Sequence, residues 1–210
     1  MQEVEGILFE PVGCLAEFPA EPFNEIAARV FGRKKKPSRS GSRSYWHLLN
    51  LIETAGGTLN DREAEALELE AVAAASIYED VGPALAELEA MGIRLILASS
   101  LATSAVERFA EKCGRFSAVW SRETAGGVKA EPLRSGIRGA SLAPARTLFL
   151  TDTAEGIKAA RNAGVNPILM MNDPDEAKRL AQQDPAGGIV SLHELPDFLR
   201  LVNAQNARPR

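Results

Sequence analysis

Short, nearly continuous apolar runs alternate with helix-period segments along most of the chain, which predicts a parallel sheet covered by helices. The clearest strands are Gly6–Phe9, Arg94–Ala98, Thr147–Leu150 and Pro167–Met170. Weaker runs at Ser117–Trp120 and Gly188–Val190 read as two more. None shows polar alternation, so each reads as a strand buried on both faces. The helices between them have legible ends. Gly82–Met91 carries Pro83 in its first turn and Gly92 just beyond its end. Thr103–Cys113 places Val106, Phe109, Ala110 and Cys113 on one face and stops at Gly114. Ala154–Ala163 stops at Gly164, and a last helix is expected over Leu192–Asn203, before a polar tail at Ala204–Arg210.

Residues 17–79 break this alternation. They hold three helical patterns and no strand signal. Phe23, Ile26, Ala27, Val30 and Phe31 share one face of the first, and Tyr45, Trp46, Leu48, Leu49 and Ile52 mark the second, over Ser44–Thr54. The third starts at Asn60, with Glu63 placed for a capping-box contact, and runs to about Tyr78. An all-helical block inserted after the first strand reads as a cap. The expected organisation is therefore an α/β core at 1–16 and 80–203, a cap at 17–79 and a frayed tail at 204–210. The aromatic group Phe23, Phe31, Tyr45 and Trp46 is expected to fill the cap's own small core.

Composition narrows the class. The 210 residues are 45% hydrophobic and 25% charged, with net charge −4, which suits one globular domain and argues against nucleic-acid or membrane attraction. No apolar run approaches a membrane span. The acidic start Met1–Glu5 is unlike a secretory signal, so a cytoplasmic protein is expected. Cys14 and Cys113 lack metal or disulfide spacing and read as free thiols, and His47 and His193 have no partner at metal-ligand spacing. The segment Arg33–Arg43 has six basic residues in eleven. It reads as a solvated loop between cap helices or as a patch steering an anionic ligand or nucleic acid.

Four short motifs sit at the C-terminal ends of predicted strands, where doubly wound sheets carry their sites. Ile7-Leu8-Phe9-Glu10-Pro11-Val12-Gly13-Cys14-Leu15 resembles a strand followed by Asp-x-Asp-Gly-Thr-Leu. Leu95-Ile96-Leu97-Ala98-Ser99-Ser100 resembles a strand ending in Ser or Thr. Gly127-Val128-Lys129-Ala130-Glu131-Pro132 resembles a lysine before a proline-containing helix start. Leu148-Phe149-Leu150-Thr151-Asp152-Thr153-Ala154-Glu155-Gly156 resembles Gly-Asp-Ser-x-x-Asp. In this order they resemble the haloacid-dehalogenase-like hydrolase superfamily, in its phosphoglycolate phosphatase and β-phosphoglucomutase-like branch with a helical cap.

The resemblance implies a three-layer α/β sandwich with a parallel, Rossmann-like sheet and an inserted α-helical cap. It implies an aspartate nucleophile forming a covalent intermediate, a second aspartate as acid/base, a hydroxyl and a lysine holding the transferring group, and acidic residues holding magnesium. On that plan Glu10 takes the nucleophile position and Val12 the acid/base position, which loses its proton-transferring group. Cys14 replaces threonine, and Gly156 replaces the second acidic residue of the fourth motif. Ser99 and Lys129 remain as the anion-binding pair, although Ser99 also suits a helix cap and Lys129 a pairing with Glu10 or Asp152. Glu10 and Asp152, with the Val12 carbonyl, remain as a weak magnesium set. The expected protein is a family member with an impaired site that binds a small anionic molecule or a protein partner, with homodimer formation left open. The alternative is a magnesium-dependent phosphatase of small phosphate esters.

Overall fold

The computed structural model describes residues 3–32, 40–171 and 174–206. The chain opens with β1 (Gly6–Phe9), a one-turn segment α1 (Pro11–Cys14) and a two-residue strand β2 (Ala16–Glu17). Three helices follow, α2 (Glu21–Phe31), α3 (Gly41–Thr54) and α4 (Arg62–Ala74), and then β3 (Ser76–Ile77). The remaining elements are α5 (Val81–Ala90), β4 (Arg94–Ala98), α6 (Thr103–Cys113), β5 (Ala118–Trp120), α7 (Arg122–Ala125) and α8 (Ala130–Gly139). A 3₁₀ turn at Pro144–Arg146 leads into β6 (Thr147–Thr151), α9 (Ala154–Ala163), β7 (Asn166–Met170), α10 (Pro174–Ala181), β8 (Gly187–Ile189) and α11 (Glu194–Asn206).

Six strands form one all-parallel sheet in the order β5-β4-β1-β6-β7-β8. Every strand predicted from the sequence is present in it. The central three are buried along their length apart from Arg94, as their unbroken apolar sequences require. Helices α8 and α9 pack against each other and the sheet, while α11 packs on α5. Right-handed crossovers put helices joining strands in opposite lateral directions on opposite faces, which gives the three layers.

The chain steps from β1 toward β5 on one side and from β6 toward β8 on the other. The C-terminal ends of β1, β4 and β6 therefore meet at the reversal of strand order. Phe9 is paired with both Leu97 and Leu150, so Glu10 lies beside Ala98 and Thr151 in register.

The block of α2, α3 and α4 is joined to the sheet through an antiparallel pair, β2 with β3, in which Ala16 faces Ile77. That two-residue pair lies where no strand was expected, being too short to show any period. The third helix starts later than expected. Its N-cap is Asp61, whose carboxylate accepts from the Glu63 and Ala64 amides at 2.8 and 3.1 Å, and not Asn60. At the other end of the chain, α11 runs on to Asn206 through the start of the expected tail. Residues 33–39, most of the basic segment, and 207–210 lie outside the described residues. The buried side chains of α2–α4 and of the sheet form one continuous apolar cluster, so no seam divides them.

Candidate functional site

The turn after β1 fixes the first side chains of the site. Glu10 leaves the strand in extended backbone, and Gly13 follows at φ 82°. Only glycine fits there on two counts, because a Cβ at Gly13 would also lie 2.4 Å from Asp152 Oδ2. The turn thereby brings β1 and β6 residues into contact. Val12 is fully buried and Cys14 donates to the Leu150 carbonyl at 3.5 Å. Burial holds the Cys14 thiol well above its ordinary range, consistent with an unreactive, protonated thiol.

Glu10 is 3% exposed, and both of its carboxyl oxygens are engaged. Ser99 Oγ donates to Oε1 at 2.6 Å and the Tyr45 hydroxyl donates to Oε2 at 3.0 Å. Tyr45 in turn accepts the Ser100 N–H at 2.9 Å and lies 3.3 Å from Ser99 Oγ. Burial raises the Glu10 pKa from 4.5 to about 8, and the hydrogen bonds from Ser99 and Tyr45 only partly oppose it. At pH 7 the side chain is chiefly a neutral acid.

Tyr45 comes from α3. Its ring packs against Phe23 and Trp46, with centroids at 5.3 and 6.0 Å, as expected of an aromatic core residue. The expectation that it serves only the core of the helical block is corrected by its hydroxyl, which reaches the end of the sheet. Three residues earlier on the same helix, Ser42 Oγ donates to Asp152 Oδ1 at 2.8 Å. Burial raises the Asp152 carboxyl to about 6, against the pull of the Ser42 hydrogen bond. A cleft of about 390 Å³ has Asp152 in its wall together with Gly13, Ser42, Arg43, Tyr78 and Glu176; Glu10, Ser99 and Tyr45 are not in its lining.

Lys129 does not join Glu10 and Ser99. Its backbone sits at φ 61° ahead of α8, and its amide donates to Ser100 Oγ at 2.7 Å. The ammonium turns to α3, where it donates to Asn50 Oδ1 at 2.6 Å and pairs with Glu53. A pairing with Glu10 or Asp152 is thus replaced by one with the helical block. Ser99, the other expected anion ligand, does stand beside Glu10 and also accepts the Leu101 N–H at 3.3 Å, but it does not cap the following helix, whose N-cap is Ala102.

The donor set does not fit magnesium well. Hard-cation sites need several ionised or carbonyl oxygens converging on one point. Here both Glu10 oxygens are bonded, to Ser99 and Tyr45, and Asp152 is tied to Ser42. Among the described residues no three His, Cys, Asp or Glu side chains come close enough to share an ion.

Gly156 has no room for the acidic residue that the resemblance leads one to expect there. A Cβ there would lie 1.8 Å from Thr151 Oγ1 and 2.7 Å from Thr151 Cβ. Thr151 stands where the fourth motif has glycine. Its side chain fills the space in which a side chain at position 156 would begin, so the two departures from the motif are one steric exchange.

An ion pair absent from the sequence reading lies just behind Ser99. Arg122 and Glu68 are both buried, 2.6 Å apart. Arg122 also donates to the Ser100 carbonyl at 3.3 Å, and Glu68 Oε2 accepts the Ala102 N–H at 2.9 Å. The pair clamps α4 onto the loop that carries Ser99 and Ser100. Burial pushes the Glu68 carboxyl up, and Arg122 is the main influence drawing it back. The available signal was a glutamate inside the buried stripe Ala64, Leu67, Glu68, Ala71 and Val72 of α4.

Comparison with known proteins agrees with this fold. No curated protein matches the chain by sequence. In fold it is similar to the L-2-haloacid dehalogenase of Xanthobacter autotrophicus solved with chloropropionic acid covalently bound, at 17% identity and TM-score 0.62, over 94% of this chain and 98% of that one. It is similar to a Haemophilus somnus protein described as a predicted phosphoglycolate phosphatase, at 18% identity and TM-score 0.66, over 94% and 99%. CbbY from Rhodobacter sphaeroides, solved with phosphate, matches at 22% identity and TM-score 0.66, over 91% and 96%. The family model described as haloacid dehalogenase-like hydrolase matches residues 15–164, starting after the Glu10 turn. The chain belongs to the haloacid dehalogenase-like hydrolase family.

Proposed function

We propose that this chain is a family member that has exchanged turnover for binding. The observation that carries the reading is the enclosure of Glu10: its carboxyl is buried and bonded through both oxygens, to Ser99 and Tyr45, which leaves neither free to attack. Val12 offers no proton at the acid/base position, and Thr151 occupies the room a side chain at position 156 would need. In this reading residues 17–79 are the cap, and the cap lies closed on the sheet. A closed site favours a protein partner over a small anion bound at Ser99. Two thiols, Cys14 and Cys113, suit a reducing cytoplasm.

An aryl phosphate assay with added magnesium tests the proposal, run beside a protein carrying Glu10→Asp, Val12→Asp, Thr151→Gly and Gly156→Asp together. A silent wild type is expected. Robust wild-type turnover that Glu10→Gln abolishes would sink the proposal and return the chain to the phosphatases.

A further inference from the structure

Ser99 Oγ and the Ser100 N–H lie at the C-terminal end of β4, at the reversal of strand order, where open α/β sheets bind ligands. Convergent donors of this kind suit an oxyanion. The Ser100 N–H is donated to the Tyr45 hydroxyl at 2.9 Å, which also lies 3.3 Å from Ser99 Oγ, whose own proton goes to Glu10. Ser42, three residues from Tyr45 and so on the same face of α3, meets Asp152. The cation that could have faced an anion, Lys129, is held by Asn50 and Glu53 further along that helix. One helix thus touches all three parts of the site.

We propose that α3 is a built-in occupant of the ligand position, with the Tyr45 hydroxyl taking the Ser100 N–H hydrogen bond that an anion would take. A small anion reaches Ser99 and Ser100 only by displacing Tyr45. The continuous core and the bonds from Lys129 to Asn50 and Glu53 oppose that displacement, because moving α3 breaks contacts on both sides of it. The inference rests on the reading that Glu10 and Ser99 are the remnant of the family's site, and is independent of whether turnover has been lost.

The chain has only two tyrosines, Tyr45 and Tyr78, so tyrosine labelled with ¹³C at Cζ gives a two-line spectrum in which Tyr45→Phe assigns the line. Inorganic phosphate is titrated into the wild type, followed by that spectrum and by calorimetry. The expected result is no binding and an unmoved Tyr45 line. Tyr45→Ala is expected to bind phosphate at least about ten-fold tighter than wild type, since it removes the population penalty of the occluded state. Tyr45→Leu, which keeps apolar volume for folding, is expected to behave likewise. Phosphate binding to the wild type with the Tyr45 line unmoved overturns the proposal. So does a folded Tyr45→Ala or Tyr45→Leu protein that binds phosphate no better than wild type. Hydrolysis of aryl phosphate by a wild type that otherwise behaves as expected here would remove the proposed loss of turnover and leave the occupant standing.

Discussion

Neutralising Glu10 by Glu10→Gln should flatten the pH dependence of stability. Below pH 4.5 the Glu10 carboxyl is protonated in both the folded and unfolded chain, and its contribution does not vary. Between 4.5 and about 8 the folded chain keeps the proton that the unfolded chain releases. Stability therefore falls as pH rises through this window, by about 1.4 kcal/mol for each pH unit fully inside it. Asp152, raised to about 6, acts in the same direction at lower pH. The interval from pH 6 to pH 8 is consequently governed mainly by Glu10, and the wild type should lose about 2–3 kcal/mol across it relative to Glu10→Gln. Glutamine preserves the size of the side chain and can still accept from Tyr45. Urea unfolding at pH 6, 7 and 8, compared between the two proteins, reads the difference directly. Parallel curves, or a wild type that gains stability relative to the variant as pH rises, would refute a neutral Glu10.

The remaining predictions concern packing. Gly156→Ala should destabilise the protein by about 1–3 kcal/mol or more through its overlap with Thr151. The same change made on Thr151→Gly should cost less, with a coupling of about 0.5–3 kcal/mol in a double-mutant cycle followed by urea unfolding. Glu68→Ala should cost about 3–5 kcal/mol by leaving Arg122 buried without its main partner, whereas Glu68→Leu with Arg122→Met should recover most of that loss in thermal unfolding. Asp61→Ala should cost about 0.5–2 kcal/mol by uncapping α4, measurable by chemical denaturation. An unchanged midpoint would remove Asp61 as the cap.

Elements whose physics is local were legible in the sequence. The four inner strands announced themselves because burial on both faces demands unbroken apolar runs, whereas the partly exposed edges β5 and β8 gave weaker signals; α6 and α9 were legible because glycine follows each. The motif positions Glu10, Ser99 and Asp152 were legible for the same reason, each lying at the end of such a run. The β2–β3 pair was not, since two residues carry no period. Helix α10 was missed because only Ala177 and Leu180 of its described side chains are buried. The missed or misread parts of the site are contacts between distant residues. Tyr45 meets Glu10 across 35 positions and Arg122 meets Glu68 across 54. An aromatic residue in a helix stripe reads as core, and only the choice of tyrosine over phenylalanine hints at a polar appointment. Lys129 was misplaced because motif spacing does not reveal a left-handed backbone, which turns its side chain toward α3.

The exchange between Thr151 and Gly156 also bears on history. Restoring an acidic residue at 156 alone drives it into a threonine, and restoring glycine at 151 alone opens an unfilled space beside a buried strand. Either first step lowers stability before the second can offer any return. If both positions departed from the motif, as the proposed loss of turnover requires, the pair works as a ratchet, because single substitutions then no longer retrace the path. An ancestral sequence reconstructed at these two sites should therefore show them changing together or through a smaller residue at 151.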